Sequence, residues 1–129
     1  MIQKIEHTAI MVRDMEESLS FYCDILGFTL RLRGRSGDRE LAFLYQEGHT
    51  HTEVELICVD NPDPAYKEHS IVNHLAFTVG KIEETIAYLK EKDVEFMTED
   101  IKPTLEGGRM IMFWGPNREL LQLVERLKQ

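Results

Sequence analysis

The chain opens on a strict alternation of apolar and polar positions. From residue 5 to 12, Ile10 and Val12 fall on one side of an extended segment and His7, Ala9 and Met11 on the other. This predicts a strand with one packed face and one face that lines something. The period then changes. Asp14 with Glu17 three positions on is a helix-start signal, Leu19, Tyr22 and Leu26 keep helical spacing, and Gly27 supplies a stop, so a helix is predicted over 14–26. Strands follow at 28–35, 40–46 and 52–59, separated by Ser36-Gly37-Asp38 and Gly48-His49-Thr50, both of turn composition.

The same pattern then returns. Shifted by 67 positions, the spacing from His7 to His74, Ile5-Glu6-His7-Thr8-Ala9-Ile10-Met11-Val12 falls on Val72-Asn73-His74-Leu75-Ala76-Phe77-Thr78-Val79. Without a gap, Met15 to Phe21 falls on Ile82 to Tyr88, and Val54-Glu55-Leu56-Ile57 on Leu121-Gln122-Leu123-Val124. An internal repeat governs the fold assignment. The second copy is predicted as a strand at 72–79, a helix at 82–92, a short strand at 94–97, a polar, Gly-rich loop at 102–108, and strands at 109–114 and 119–126. The chain is thus expected to be α+β: two tandem βαβββ modules, 1–60 and 71–129, joined by a Pro-broken linker at 61–70.

Composition narrows the function. With 129 residues, 43% hydrophobic and 29% charged, one packed domain is expected. A net charge of -8 repels phosphate backbones and anionic lipid, so nucleic acid is not an expected partner. The apolar runs, such as Ile71 to Val79, are too short for a membrane span, and a cytoplasmic address is expected. Cys23 and Cys58 each sit in an apolar run without CxxC spacing and read as reduced core thiols.

The repeat also pairs chemistry. His7 maps on His74 and Glu55 on Gln122, so four residues able to bind a metal form two related pairs. Glu55 lies mid-strand in Val54-Glu55-Leu56-Ile57-Cys58-Val59, where an acid is costly unless exposed, paired or bound to a cation. Two imidazoles, one carboxylate and one amide oxygen suit a divalent ion, and nickel, cobalt, zinc, manganese and iron all fit. Taken singly, a strand-start His is more often a satisfied rim residue and a mid-strand Glu a solvated one; their coincidence under one repeat favours a shared metal site.

These residues, with Phe21-Tyr22-Cys23-Asp24-Ile25-Leu26-Gly27-Phe28, Asn73-His74-Leu75-Ala76-Phe77 and Gly115 to Leu123, resemble the vicinal oxygen chelate superfamily. That group includes glyoxalase I, methylmalonyl-CoA epimerase, extradiol dioxygenases, fosfomycin-resistance transferases and metal-free bleomycin-binding proteins. The resemblance implies paired βαβββ modules whose curved sheets, in a half-barrel, enclose one divalent metal per site, held by His7, Glu55, His74 and Gln122. It also implies a homodimer and a small-molecule substrate. Length and ligand spacing are most similar to the bacterial glyoxalase I (lactoylglutathione lyase) type, which isomerises a 2-oxoaldehyde–thiol adduct through an enediolate. The pattern departs at position 122, where glyoxalase I usually has a Glu that acts as base. Gln cannot fill that role, and the proton transfer falls to Glu55. Met11 and Val59 replace an Arg and an Asn common in glutathione-using members. The alternatives are an epimerase or other enolate-forming enzyme, and a metal-free binding or resistance module.

Weaker signals remain. Arg31, Arg33, Arg35 and Arg39 cluster in nine residues, and the first three are expected to alternate onto one charged outer strand face. Gly107-Gly108-Arg109 reads equally as a flap with an anion-gripping arginine or as a plain hairpin turn. His49 to Glu53 is expected to be solvated loop, and Glu53, which shares a strand face with Glu55, to be solvent-exposed. Met97, Met110, Met112 and Trp114 are expected to fill core gaps rather than line a pocket.

Overall fold

A computed structural model describes residues 5–61, 74–104 and 107–126. The chain divides into two compact units, Met1–His69 and Ser70–Gln129, matching the two copies of the repeat. The linker beyond Asn61 and the predicted strand start at Val72-Asn73 lie outside the described residues.

In the first unit the elements run β1 (His7–Met11), α1 (Met15–Leu19), a π-helical continuation (Ser20–Ile25), β2 (Thr29–Ser36), β3 (Arg39–Gln46) and β4 (His49–Val59). The sheet order is β1-β4-β3-β2, with β1 parallel to β4 and the other pairs antiparallel. Asp14 caps α1 through a 3.0 Å bond from the Glu17 N–H, which satisfies one of the helix's orphan donors. The helix then widens: Leu26 N–H donates to Phe21 O rather than to the residue four back. It ends where Gly27 takes φ +84° and Phe28 N–H reaches back to Tyr22 O, a closing turn that a side chain at position 27 would strain.

Cross-strand pairing sorts the sheet's two faces, because paired residues share a side. Ile10↔Leu56, Ala42↔Leu56 and Leu44↔Val54 define the packed face; Ile10 is half-buried, and Ala42, Leu44, Val54 and Leu56 are buried with Met15, Leu19 and Tyr22. Each of the large ones contributes about 1.5–3 kcal/mol by leaving water. The opposite face carries His7, Ala9 and Met11 of β1, all exposed, with Phe43, Glu53, Glu55 and Ile57.

The second unit repeats this plan with β5 (Leu75–Thr78), α2 (Ile82–Glu91), β6 (Lys102–Pro103), β7 (Arg109–Trp114) and β8 (Leu120–Glu125), in the order β5-β8-β7-β6. Ile82, Leu89, Ile111, Phe113, Leu121 and Leu123 form its core.

Three predictions change. The strand expected at 94–97 is a single bridge, Phe96↔Phe113. The expected loop at 102–108 contains β6, since Lys102 and Pro103 pair with Met110 and Arg109. His49 to His51 are strand rather than loop, extending the strand expected from Thr52, because the two-residue turn at Glu47-Gly48, with Gly48 at φ +83°, sets Gln46 opposite His49. Among the described residues no helix is long and apolar enough to cross a membrane.

Candidate functional site

The parallel β1·β4 ladder sets Ala9 opposite Glu55 and His7 opposite Glu53. The small Ala9 side chain leaves room for the diagonal pair above it, a separation long side chains can bridge. His7 Nε2 lies 3.6 Å from Glu55 Oε1 and His7 Nδ1 3.4 Å from Glu6 Oε1, so the imidazole stands between two carboxylates. Phe43, paired with Glu55 across β3·β4, meets the imidazole edge to face at 6.2 Å and 87°. Glu55 is only 9% exposed.

The donor types of the His7–Glu55 pair suit a divalent ion. Two ligand atoms about 2.1 Å from one ion stand roughly 3.0–3.4 Å apart for octahedral or tetrahedral angles. The His7–Glu55 separation is a few tenths of an ångström wider than that and too long for a strong direct hydrogen bond. A carboxylate and an imidazole nitrogen are fitting donors, and Glu6 beside Nδ1 is the kind of outer partner that orients a ligating histidine.

In the second unit the registers are equivalent. Ala76 stands opposite Gln122 as Ala9 does opposite Glu55, and His74 immediately precedes β5 and is exposed. Gln122 is half-buried and brings an uncharged oxygen donor. Each unit, taken by itself, thus carries one imidazole and one side-chain oxygen donor. Among the described residues no three His, Cys, Asp or Glu side chains converge as a metal cluster.

The arginine run is divided, not one-sided. A β-bulge between Leu30 and Leu32 pairs Leu30 with Leu44 but Leu32 with Phe43, so Leu32 lies on the His7 face while Arg33, opposite Ala42, lies on the helix face. Arg33 accordingly bonds Glu40 and reaches Glu16 of α1 at 2.6 Å, and Arg35 meets Asp60 at 2.5 Å. Arg31, the extra residue of the bulge, turns the other way. Its Nε and Nη2 bind Glu53 Oε2 and Oε1 at 2.5 and 2.9 Å, and its guanidinium lies 5.4 Å from the Phe43 centroid. The Glu53 bonds push the Arg31 pKa up, so it remains a fixed cation. Glu53, expected in solvent, is half-buried in this pair.

Gly107-Gly108-Arg109 is a hairpin rather than a flap. Thr104 N–H donates to Gly108 O at 3.0 Å and Gly108 N–H to Thr104 Oγ1 at 2.9 Å. Arg109 is engaged by Glu83 at 2.6 and 2.8 Å and by Glu125 at 2.8 and 3.0 Å. Glu125 also accepts the Ile82 N–H at 2.9 Å, at the start of α2. Both carboxyls are held below the usual range: Glu83 chiefly by Arg109, Glu125 first by that N–H and then by Arg109. An open cleft of about 580 Å³ lies beside them, between Thr78 to Lys81 and Gly107 to Arg109. Met110 and Met112 are half-buried on the Gln122 side of β7, and Met97 is exposed. The core is filled by Ile111 and Phe113 instead. Cys23 and Cys58 are free and half-buried, with burial pushing both thiols up, so neither is an activated nucleophile.

Sequence reasoning missed Phe43. Its place opposite Glu55 was legible only once the β3·β4 register was known.

Comparison with known proteins agrees with this architecture. The model of the Glyoxalase/Bleomycin resistance protein/Dioxygenase superfamily matches residues 4–123. The uncharacterized protein YwbC of Bacillus subtilis (strain 168) is 32% identical over 98% of this chain and 100% of its own. A probable lactoylglutathione lyase of Synechocystis sp. is 34% identical over 83% and 82%. The crystal structure of the glyoxalase family protein from Enterococcus faecalis superposes with a TM-score of 0.79 at 29% identity, covering 95% and 98% of the two chains. With nearly its whole length matched and both βαβββ units in place, the chain belongs to the glyoxalase/bleomycin resistance protein/dioxygenase superfamily.

Proposed function

We propose that the protein is a metal-dependent lyase or isomerase of the glyoxalase I type, acting on a 2-oxoaldehyde–thiol adduct or a similar substrate with vicinal oxygens. The ligand set is His7, Glu55, His74 and Gln122, holding one divalent ion per site. The observation that carries the reading is Glu55: a carboxylate buried mid-strand, facing His7 Nε2 at 3.6 Å. The probable lactoylglutathione lyase relative supports the reaction class.

When bound, the ion would polarise the substrate's oxygens and acidify the adjacent C–H. Glu55 removes that proton and returns it to the neighbouring carbon, so the isomerisation needs no redox partner. Gln122 contributes an oxygen but cannot take up a proton. Phe43 and Glu6 hold the His7 ring in place from its edge and its Nδ1 side. A homodimer belongs to this reading through the family resemblance.

Elemental analysis after desalting and reconstitution tests it. One metal per site is expected in wild type and none in His7→Ala, followed by turnover of a methylglyoxal–thiol adduct that Glu55→Gln abolishes more completely than Gln122→Ala. No bound metal under any reconstitution would move the protein to the metal-free binding modules. A second reading, an epimerase or other enolate-forming enzyme, is favoured by the amide at position 122; turnover of an acyl-thioester epimer but not of the hemithioacetal would select it.

A further inference from the structure

Of the four clustered arginines, one is set apart by backbone geometry. Without the bulge at 30–32 the alternation from Arg35 and Arg33 would carry Arg31 to the helix face; the inserted residue sends it to the face of His7 and Glu55. Bulges recur beside active sites because they re-aim a side chain in this way. The guanidinium is then fixed from two sides, by the two-point bond to Glu53 and by the Phe43 ring. Only two of its five N–H groups are used by Glu53. The side chain is 49% exposed, so solvent reaches it beside its two supports.

We infer that Arg31 is a substrate-recognition residue that receives an anionic group, a carboxylate or phosphate, carried on the substrate beyond its vicinal oxygens. This deepens the proposed function and rests on it. Glu53 and Glu55 are two residues apart on one strand, about 7 Å along it, so the anion lies several bonds from the reacting carbons. Glu53 is a positioning residue in this scheme. It aims the fork, and Phe43 links the same ring contact to His7, so recognition and metal ligation share one support. A planar guanidinium suits an oxyanion better than a point charge.

The test uses two vicinal-oxygen chelators, benzohydroxamate and its 4-carboxy derivative, titrated calorimetrically into the full-length nickel-loaded protein. Wild type is expected to bind the carboxylate probe about tenfold more tightly than the neutral one, and Arg31→Gln to bring the ratio within about twofold. Should that variant fold poorly, the wild-type ratio serves alone, since raising salt about tenfold is expected to erode a charge-based preference. Equal binding of the two probes by wild type, a preference that survives Arg31→Gln, or one indifferent to salt would overturn the assignment while leaving the metal reading intact. Failure of both probes to bind would overturn the metal reading itself, and this inference with it.

Discussion

Replacing Glu55 with Gln should make the protein more stable without metal and less stable with it. The side chain sits on the strand with its carboxylate almost out of water and faced by His7 at 3.6 Å, too far for a strong hydrogen bond. Burying a poorly paired charge costs several kcal/mol, against about 1–3 kcal/mol for a neutral amide. The carboxylate retains some solvent contact, at 12% side-chain exposure, so we expect a gain of about 1 kcal/mol in the metal-free variant. For a domain of this size that is a rise of roughly 3–5 °C in Tm. Metal reverses the order. A ligand at about one hundred times its Kd stabilises the native state by about 2.7 kcal/mol, and a variant with a weakened site gains little. Calorimetric melting of both proteins in chelator and in nickel should show the curves cross. An equal metal-induced rise in the two proteins, or a metal-free Glu55→Gln melting below wild type, would refute the view of Glu55 as a charge kept for a cation.

Three further outcomes follow from the geometry. Gly108→Ala places a Cβ 2.4 Å from the Glu125 carbonyl oxygen and should cost about 1–3 kcal/mol in urea unfolding; an unchanged midpoint would contradict the close approach of the hairpin to β8. Glu83 and Glu125 have folded pKa values below the ordinary 4.5, so their stabilisation is present above that pH and is lost as pH falls through the folded values. The stability gap between wild type and Arg109→Gln should therefore close in acid, and a gap that stays constant below pH 4.5 would be the contrary result. Asp14→Ala removes the bond to Glu17 N–H and should cost about 1 kcal/mol, read from the same unfolding curves.

Much of this was legible because the fold is written twice. The alternation of His7, Ala9 and Met11 against Ile10 and Val12 predicted the two faces of β1, and Asp14, Glu17 and Gly27 predicted both ends of the first helix. What escaped depended on partners distant in sequence. A one-residue bulge leaves the pattern Arg31, Arg33, Arg35 intact on paper while reversing the side of its first member. The strand character of His49 to His51 comes from the hairpin partner and not from polar composition. At 94–97 the extended segment meets β7 through one bridge, with backbone bonds from Met97 to Met112 and from Trp114 to Glu95, an arrangement that local propensity does not encode.

The matched registers, Ala9 opposite Glu55 and Ala76 opposite Gln122, bear on how such a protein changes over generations. Codons for glutamate and glutamine differ by a single nucleotide, and the two side chains have nearly the same volume. Either half of the duplicated fold can therefore gain or surrender the acidic group by one point mutation, with no strand moved and no core repacked.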